Sequence, residues 1–118
     1  MIVYRQCDTR YPFLWENDSQ PSARWHQDGD GPAQYFADTP AGAWAEFLRH
    51  EEITDPADLD GVQRALWAVQ IGDPVLVAPT LPEHVVRGGI GTYPACQNEA
   101  AHLRAAGATA LEAMWDRG

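Results

Sequence analysis

Residues 8 to 33 carry no hydrophobic period and are rich in Asp, Pro, Ser and Gly, so they read as loop. In a chain of 118 residues this limits what can fold around it: the strands and helices must come from the remainder, and one domain of modest core is expected. So long an irregular stretch in a compact domain is either functional or conceals an element. Its end raises the second possibility less than the first. "ARWHQDGDGPAQYFADTPAGAWAEFLRHEE" sets Arg-Trp-His before a glycine-broken loop, then a tyrosine, then a lone glutamate in an alanine-rich helix.

The flanking segments give an α+β reading. "MIVYR" alternates and is β-branched, which predicts a strand over Ile2–Gln6. "AQYFAD" predicts a short second strand. Thr39 then serves as N-cap with Pro40 at the first helical position, and the helix runs to about His50 with Ala43, Trp44, Phe47 and Leu48 as its apolar face. "EITDPADLDG" reads as a solvated acidic connection without the spacing of a calcium loop. "VQRALWAVQIG" alternates as a strand with both faces partly covered, and "PVLVAP" as a short strand or extended lead-in. A Thr92-capped helix follows, with Cys96, Ala100 and Leu103 as its stripe and Gly107 as its stop. "ATALEAMW" predicts a final strand. No repeat or linker divides the chain, so residues 1–118 read as one domain.

Composition narrows the function. Hydrophobic residues at 45% and charged residues at 21% describe a globular chain rather than a disordered one. A net charge of −9 argues against a general nucleic-acid binder, which needs a basic face for phosphates. All eight basic residues are Arg. Coding bias accounts for that, and so would bidentate binding of phosphate or carboxylate. Cys7 and Cys96 stand far apart, outside any CxxC, and read as free thiols. The four His, at 26, 50, 84 and 102, lack HxxxH spacing, so no metal site is expected. With no secretory pattern and no membrane-length apolar run, the expectation is a soluble cytoplasmic protein.

Each polar residue of the central stretch has an ordinary reading. Arg24 fits a surface arginine, Tyr35 a strand core residue, Glu46 a solvated helix residue bonded to Arg49 or His50, and His26 a structural histidine. Glu46 nevertheless lies at the border of the helix's apolar face, where a carboxylate can point into a cleft.

Taken together the motifs resemble the RES domain family, named for its Arg, Glu and Ser. The matching residues are Arg24-Trp25-His26, Gly31-Pro32, Tyr35-Phe36-Ala37, Thr39-Pro40 and Ala43 through His50, with Tyr4 and Arg5 similar to the family's aromatic-Arg start. The resemblance is strong over residues 23 to 52 and weaker over 1 to 22 and 61 to 113. It implies an ADP-ribosyltransferase-like mixed sheet with a few helices. It also implies a toxin paired with an Xre-type antitoxin, acting on NAD as substrate with no tightly bound cofactor, and a homodimer. In that scheme Glu46 stabilises the oxocarbenium-like transition state of nicotinamide–ribose cleavage. Arg24 binds the diphosphate and Tyr35 orients the nicotinamide ring. Arg5, Tyr4, Trp25 and His26 are further substrate contacts.

One signature is unmatched. The family's late Ser has no counterpart, because the only serines are Ser19 and Ser22 and Met114-Trp115 stands where Pro-Ser is expected. Three readings are open. The C-terminal end is shortened or altered; Thr109, Thr92 or a backbone amide fills the role; or the pocket no longer degrades NAD. The functions to be separated are therefore an NAD-cleaving enzyme (hydrolytic or phosphorolytic), an ADP-ribosyltransferase on a macromolecular or small acceptor, and a non-catalytic nucleotide- or partner-binding module.

Overall fold

The computed structural model describes residues 1–12, 14, 22–31 and 33–113. It has the α+β content expected. The chain groups into two compact units, one of residues 1–15 and 34–72, the other of residues 16–33 and 73–118.

In the first unit, β1 (Ile2–Asp8) pairs antiparallel with β2 (Arg64–Gln70), in a register that sets Tyr4 opposite Ala68, Arg5 opposite Trp67 and Asp8 opposite Arg64. The strand expected over residues 33–38 does not form. Only Ala37 joins β1, exchanging two 2.8 Å backbone bonds with Tyr4. Two residues earlier the Tyr35 carbonyl accepts from the Arg5 side chain at 3.4 Å, a partner no strand ladder supplies. Two residues later the helix start at Thr39 turns the chain away.

Helix α1 (Pro40–His50) begins as the sequence predicts. Its Thr39 hydroxyl accepts from the Gly42 amide at 2.9 Å, satisfying one of the unpaired donors of the first turn. Ala43 and Phe47 are buried, together with Val3 of β1 and Ala37. Trp44 stays at the rim, its ring 5.3 Å from that of Phe47. The Arg64 guanidinium lies over the Phe47 ring at 4.7 Å and donates to Gln6 at 2.7 Å, which ties α1 to the far end of the sheet. The helix stops in a Schellman arrangement: Ile53 N donates to Leu48 O at 2.8 Å and Glu52 N to Arg49 O at 3.1 Å. Glu52 takes the left-handed position there, with φ of 55°, where glycine is the usual occupant. The acidic connection beyond contains a single 3₁₀ turn, Pro56–Leu59, capped by Asp55. Strand β2 is barer than its sequence suggests, with Leu66 and Trp67 exposed. Among the described residues it has a strand neighbour on one edge only.

In the second unit, β3 (Leu76–Val77) pairs parallel with β4 (Ala110–Leu111). Among the described residues both strand directions of a mixed sheet thus occur, in two separate two-stranded sheets. Between these strands lie α2 (Glu83–Val86), a single turn that the sequence reading missed, a 3₁₀ turn at Ile90–Thr92, and α3 (Tyr93–Ala105). Helix α3 also ends in a Schellman arrangement, here with Gly107 at φ of 105°. The core of this unit is Val86, Cys96, Ala100 and the ring of His26. Both cysteines are free thiols. The residues Met114 and Trp115, and the proline of Gly31-Pro32, lie outside the described residues.

Candidate functional site

The residues singled out in the sequence divide between the two units. Arg5, Tyr4, Tyr35 and Glu46 belong to the first, Arg24, Trp25 and His26 to the second.

Glu46 occupies the middle of α1, one residue before buried Phe47 and three after buried Ala43, and is half-buried as a result. Loss of solvent raises its carboxyl pKa above the ordinary range, against the opposing influence of the Arg49, Arg5 and His50 charges. Arg49 and His50 are neighbours on the same helix. Arg5 comes from β1, and its charge acts on the carboxylate from outside the helix. The guanidinium is held by two acceptors from the segment that leads into α1: Nη1 donates to Gln34 Oε1 at 2.8 Å and to the Tyr35 carbonyl at 3.4 Å. Arg5, Tyr35 and Glu46 thus all lie in the first unit, with Arg5 bonded to the Tyr35 backbone. Tyr4, adjacent to Arg5 in a strand, projects to the opposite face. Gln34 escaped the sequence reading, because a single glutamine beside a tyrosine carries no spacing signal.

Arg24 sits in a tight turn closed by bonds from Ala23 N to His26 O at 3.0 Å and from His26 N to Ala23 O at 3.4 Å. Gln97 of α3 clamps that turn, donating to the Ala23 carbonyl at 2.9 Å and the His26 carbonyl at 3.4 Å. Trp25 is half-buried and His26 is 1% exposed, so the turn is anchored on both sides of Arg24. The guanidinium enters a cage of two backbone carbonyls and one hydroxyl. Nη1 donates to Val85 O at 3.2 Å and Thr92 Oγ1 at 3.1 Å, Nη2 donates to Gly88 O, and the carbon of the group lies 4.6 Å from the Tyr93 ring centre. The carbonyls of Val85 and Gly88 lie at and just past the end of α2, and Val85 O also accepts from Gly88 N at 3.2 Å. This role has no local trace, since the acceptors lie more than 60 residues away in sequence. Thr92 likewise departs from its expected use. Its hydroxyl does not cap α3; it donates to Gly89 O at 2.7 Å and accepts from Arg24. Gly88 is required by contact: a Cβ there would lie 2.4 Å from Thr92 Cγ2 and 2.8 Å from the His84 carbonyl oxygen.

Among the described residues no group of three or more His, Cys, Asp or Glu is placed to hold a metal ion, and no helix is long and apolar enough to cross a membrane.

Comparison with known proteins agrees with the motif reading. The family model of the RES domain matches residues 2–113, nearly the whole chain. No curated protein and no solved structure matches it. The chain belongs to the RES domain family.

Proposed function

From that membership, we propose that the protein cleaves the nicotinamide–ribose bond of NAD, by hydrolysis or phosphorolysis, as the toxin of a pair with an Xre-type antitoxin. The observation that supports the reading is Glu46, a half-buried carboxylate whose pKa burial raises against the opposing charges of Arg49, Arg5 and His50. Nicotinamide leaves NAD as a neutral ring from a cationic one, so the departing group needs no general acid. The reaction needs a negative charge where the ribose becomes oxocarbenium-like, and a carboxylate withdrawn from water supplies it more strongly than one in bulk solvent. Glu46 fills that role in its ionised form. Arg5 counters the burial that would otherwise favour the neutral acid, and offers N–H donors to a ribose hydroxyl or phosphate oxygen. Tyr35 orients the nicotinamide ring, and Tyr4, Trp25 and His26 are further substrate contacts.

Arg24 is assigned to the diphosphate on the strength of the motif. Its Nη1 and Nη2 already serve the end of α2 and Thr92, so the proposal gives it two duties, of which the structural one is directly visible. NAD is substrate rather than resident cofactor in this scheme, and a cytoplasmic homodimer is the assembly proposed with it.

Met114-Trp115, standing where the motif has Pro-Ser, motivates a second reading, a nucleotide- or partner-binding module that no longer turns NAD over. Incubating the purified chain with NAD separates the two. Release of nicotinamide, lost in Glu46→Gln with an unchanged circular-dichroism spectrum, supports the enzyme. NAD binding without release supports the module. Equal turnover in Glu46→Gln removes Glu46 from the chemistry. A labelled acceptor distinguishes transfer of ADP-ribose from loss to water or phosphate.

A further inference from the structure

We propose that the outer edge of β2 is the interface between two copies of this chain, which pair antiparallel about a two-fold axis at Trp67. This gives the homodimer proposed above its contact surface; it rests on that assembly and not on the NAD chemistry.

Three features of the first unit support it. The first is the direction of the β2 backbone groups. Tyr4 exchanges 2.8 Å bonds with Ala37, on the side of β1 away from β2. Tyr4 and Ala68 are therefore a pair without mutual hydrogen bonds, and alternation along the ladder turns the N–H and C=O groups of Arg64, Leu66, Ala68 and Gln70 away from β1. The Ile71 amide, which donates to Met1 O at 2.9 Å, belongs to the alternate, inward set, as this phase requires. Among the described residues no strand lies on the outer side of β2, and no backbone bond engages Leu66 or Ala68 there. A row of open donors and acceptors is a template for another strand.

The second feature is that β2 lacks the devices that keep an edge solitary. It pairs with β1 residue for residue from Arg64 to Gln70, without a bulge. It holds no proline, no lysine and no carboxylate, and its single charge, Arg64, stands at one end. Leu66 is 54% exposed and Trp67 43%, so the edge also carries apolar surface. In a chain of net charge −9, a strand free of carboxylates is a place where two copies can meet without bringing acidic groups together.

The third feature selects a second copy as the occupant. With Trp67 opposite Trp67 of the second copy, Leu66 falls opposite Ala68 and Arg64 opposite Gln70, so every outward-facing residue meets an outward-facing residue. This register forms about eight backbone hydrogen bonds, two for each bonded pair. The Trp67 side chains become directly opposed on one face, an aromatic cross-strand pair, while the two Arg64 lie at opposite ends. The resulting four-stranded sheet has β1 at both edges, where Ala37 already occupies Tyr4, so growth stops at two copies.

The experiment is sedimentation of the full chain over a range of concentrations, with amide hydrogen exchange read residue by residue. The expected mass rises with concentration from 13.0 kDa to twice that value. Leu66 and Ala68 amides gain protection with it, whereas those of Trp67 and Val69, bonded to β1, are protected throughout. Ala68→Pro removes one outward N–H and no bond to β1, and weakens the dimer at least about tenfold. Leu66→Lys, at an exposed side chain, does the same by charging the edge, and serves if the proline variant does not fold. The register is read by Ala65→Cys/Val69→Cys in a Cys7→Ser background, Cys96 being buried. Each new cysteine then faces the other across the two-fold axis in a pair close enough for a disulfide, so oxidation gives a covalent dimer, and neither single variant does. A chain monomeric at every concentration overturns the proposal, as does a dimer that neither edge variant weakens or that the cysteine pair fails to link. Protection of Leu66 and Ala68 in the monomer also overturns it, because the chain then covers its own edge. Nicotinamide release is measured separately, so loss of the enzymatic reading leaves these outcomes unchanged.

Discussion

Arg24→Ala tests the cage around the guanidinium most directly. The substitution removes three hydrogen bonds to oxygen, at Val85, Gly88 and Thr92, and the contact with the Tyr93 ring. Bonds from a charged donor contribute about 1.5–3 kcal/mol in well-buried sites. Arg24 is half-buried, and water can reach the carbonyls once the side chain is gone, so about 1 kcal/mol each is the appropriate figure. The ring contact adds about 0.5–1 kcal/mol. The sum, about 4 kcal/mol, is a large part of the roughly 5–15 kcal/mol that holds a domain folded. Urea denaturation followed by circular dichroism reads it. With a slope of about 1–2 kcal/mol per molar, the midpoint falls by about 2–4 M. Arg24→Lys retains the charge and one or two of the bonds but not the fork, so it falls between the parent and the alanine variant. An alanine variant whose midpoint is unchanged would refute the cage as a stabilising feature and return Arg24 to ligand binding alone. A lysine variant of near-parental stability with a sharply raised KM for NAD would show that the diphosphate duty dominates.

Gly88→Ala forces a Cβ into Thr92 and the His84 carbonyl and lowers stability by about 1–3 kcal/mol, measured by the same denaturation; Thr92→Ser in that background recovers part of the loss by removing the clashing methyl. Glu52→Gly relieves the left-handed residue at the end of α1 and raises stability by about 0.5–1 kcal/mol, seen as a higher melting temperature. Glu46 has a folded pKa raised by burial, so the folded chain binds more protons than the unfolded one as pH climbs from the ordinary glutamate value to the raised one, and stability falls across that window. Glu46→Gln therefore flattens the pH dependence of stability there and makes the protein more stable at neutral pH; a variant less stable than the parent would contradict it. Under the proposed function, NAD loss in the parent rises with pH along an acid limb centred above the ordinary glutamate range and is absent in Glu46→Gln, which the pH–rate profile tests.

The parts of this protein legible in its sequence are those whose causes lie within a few residues. Thr39 and Pro40 start α1 where the side-chain cap and the missing N–H require it, and Gly107 ends α3 because its left-handed position favours a residue without a Cβ. The border position of Glu46 on α1 follows from a period of 3.6 residues, and so does its partial burial. The family motif was equally local, concentrated in residues 23 to 52, and the match over residues 2–113 agrees with it. Tertiary structure decided what depended on partners far along the chain. Residues 33–36 have the composition of a strand, but strand identity requires a second backbone, and the Tyr35 carbonyl is taken by a side chain instead. Thr92 has the position of a cap, but its hydroxyl binds the Gly89 carbonyl and Arg24, so the helix it precedes starts without it. Arg24 itself reads as a ligand residue in its motif. Only the folded chain brings it to the carbonyls at the end of α2, because a hydrogen bond depends on distance in space, and no spacing rule in the sequence encodes a contact between residues 24 and 88.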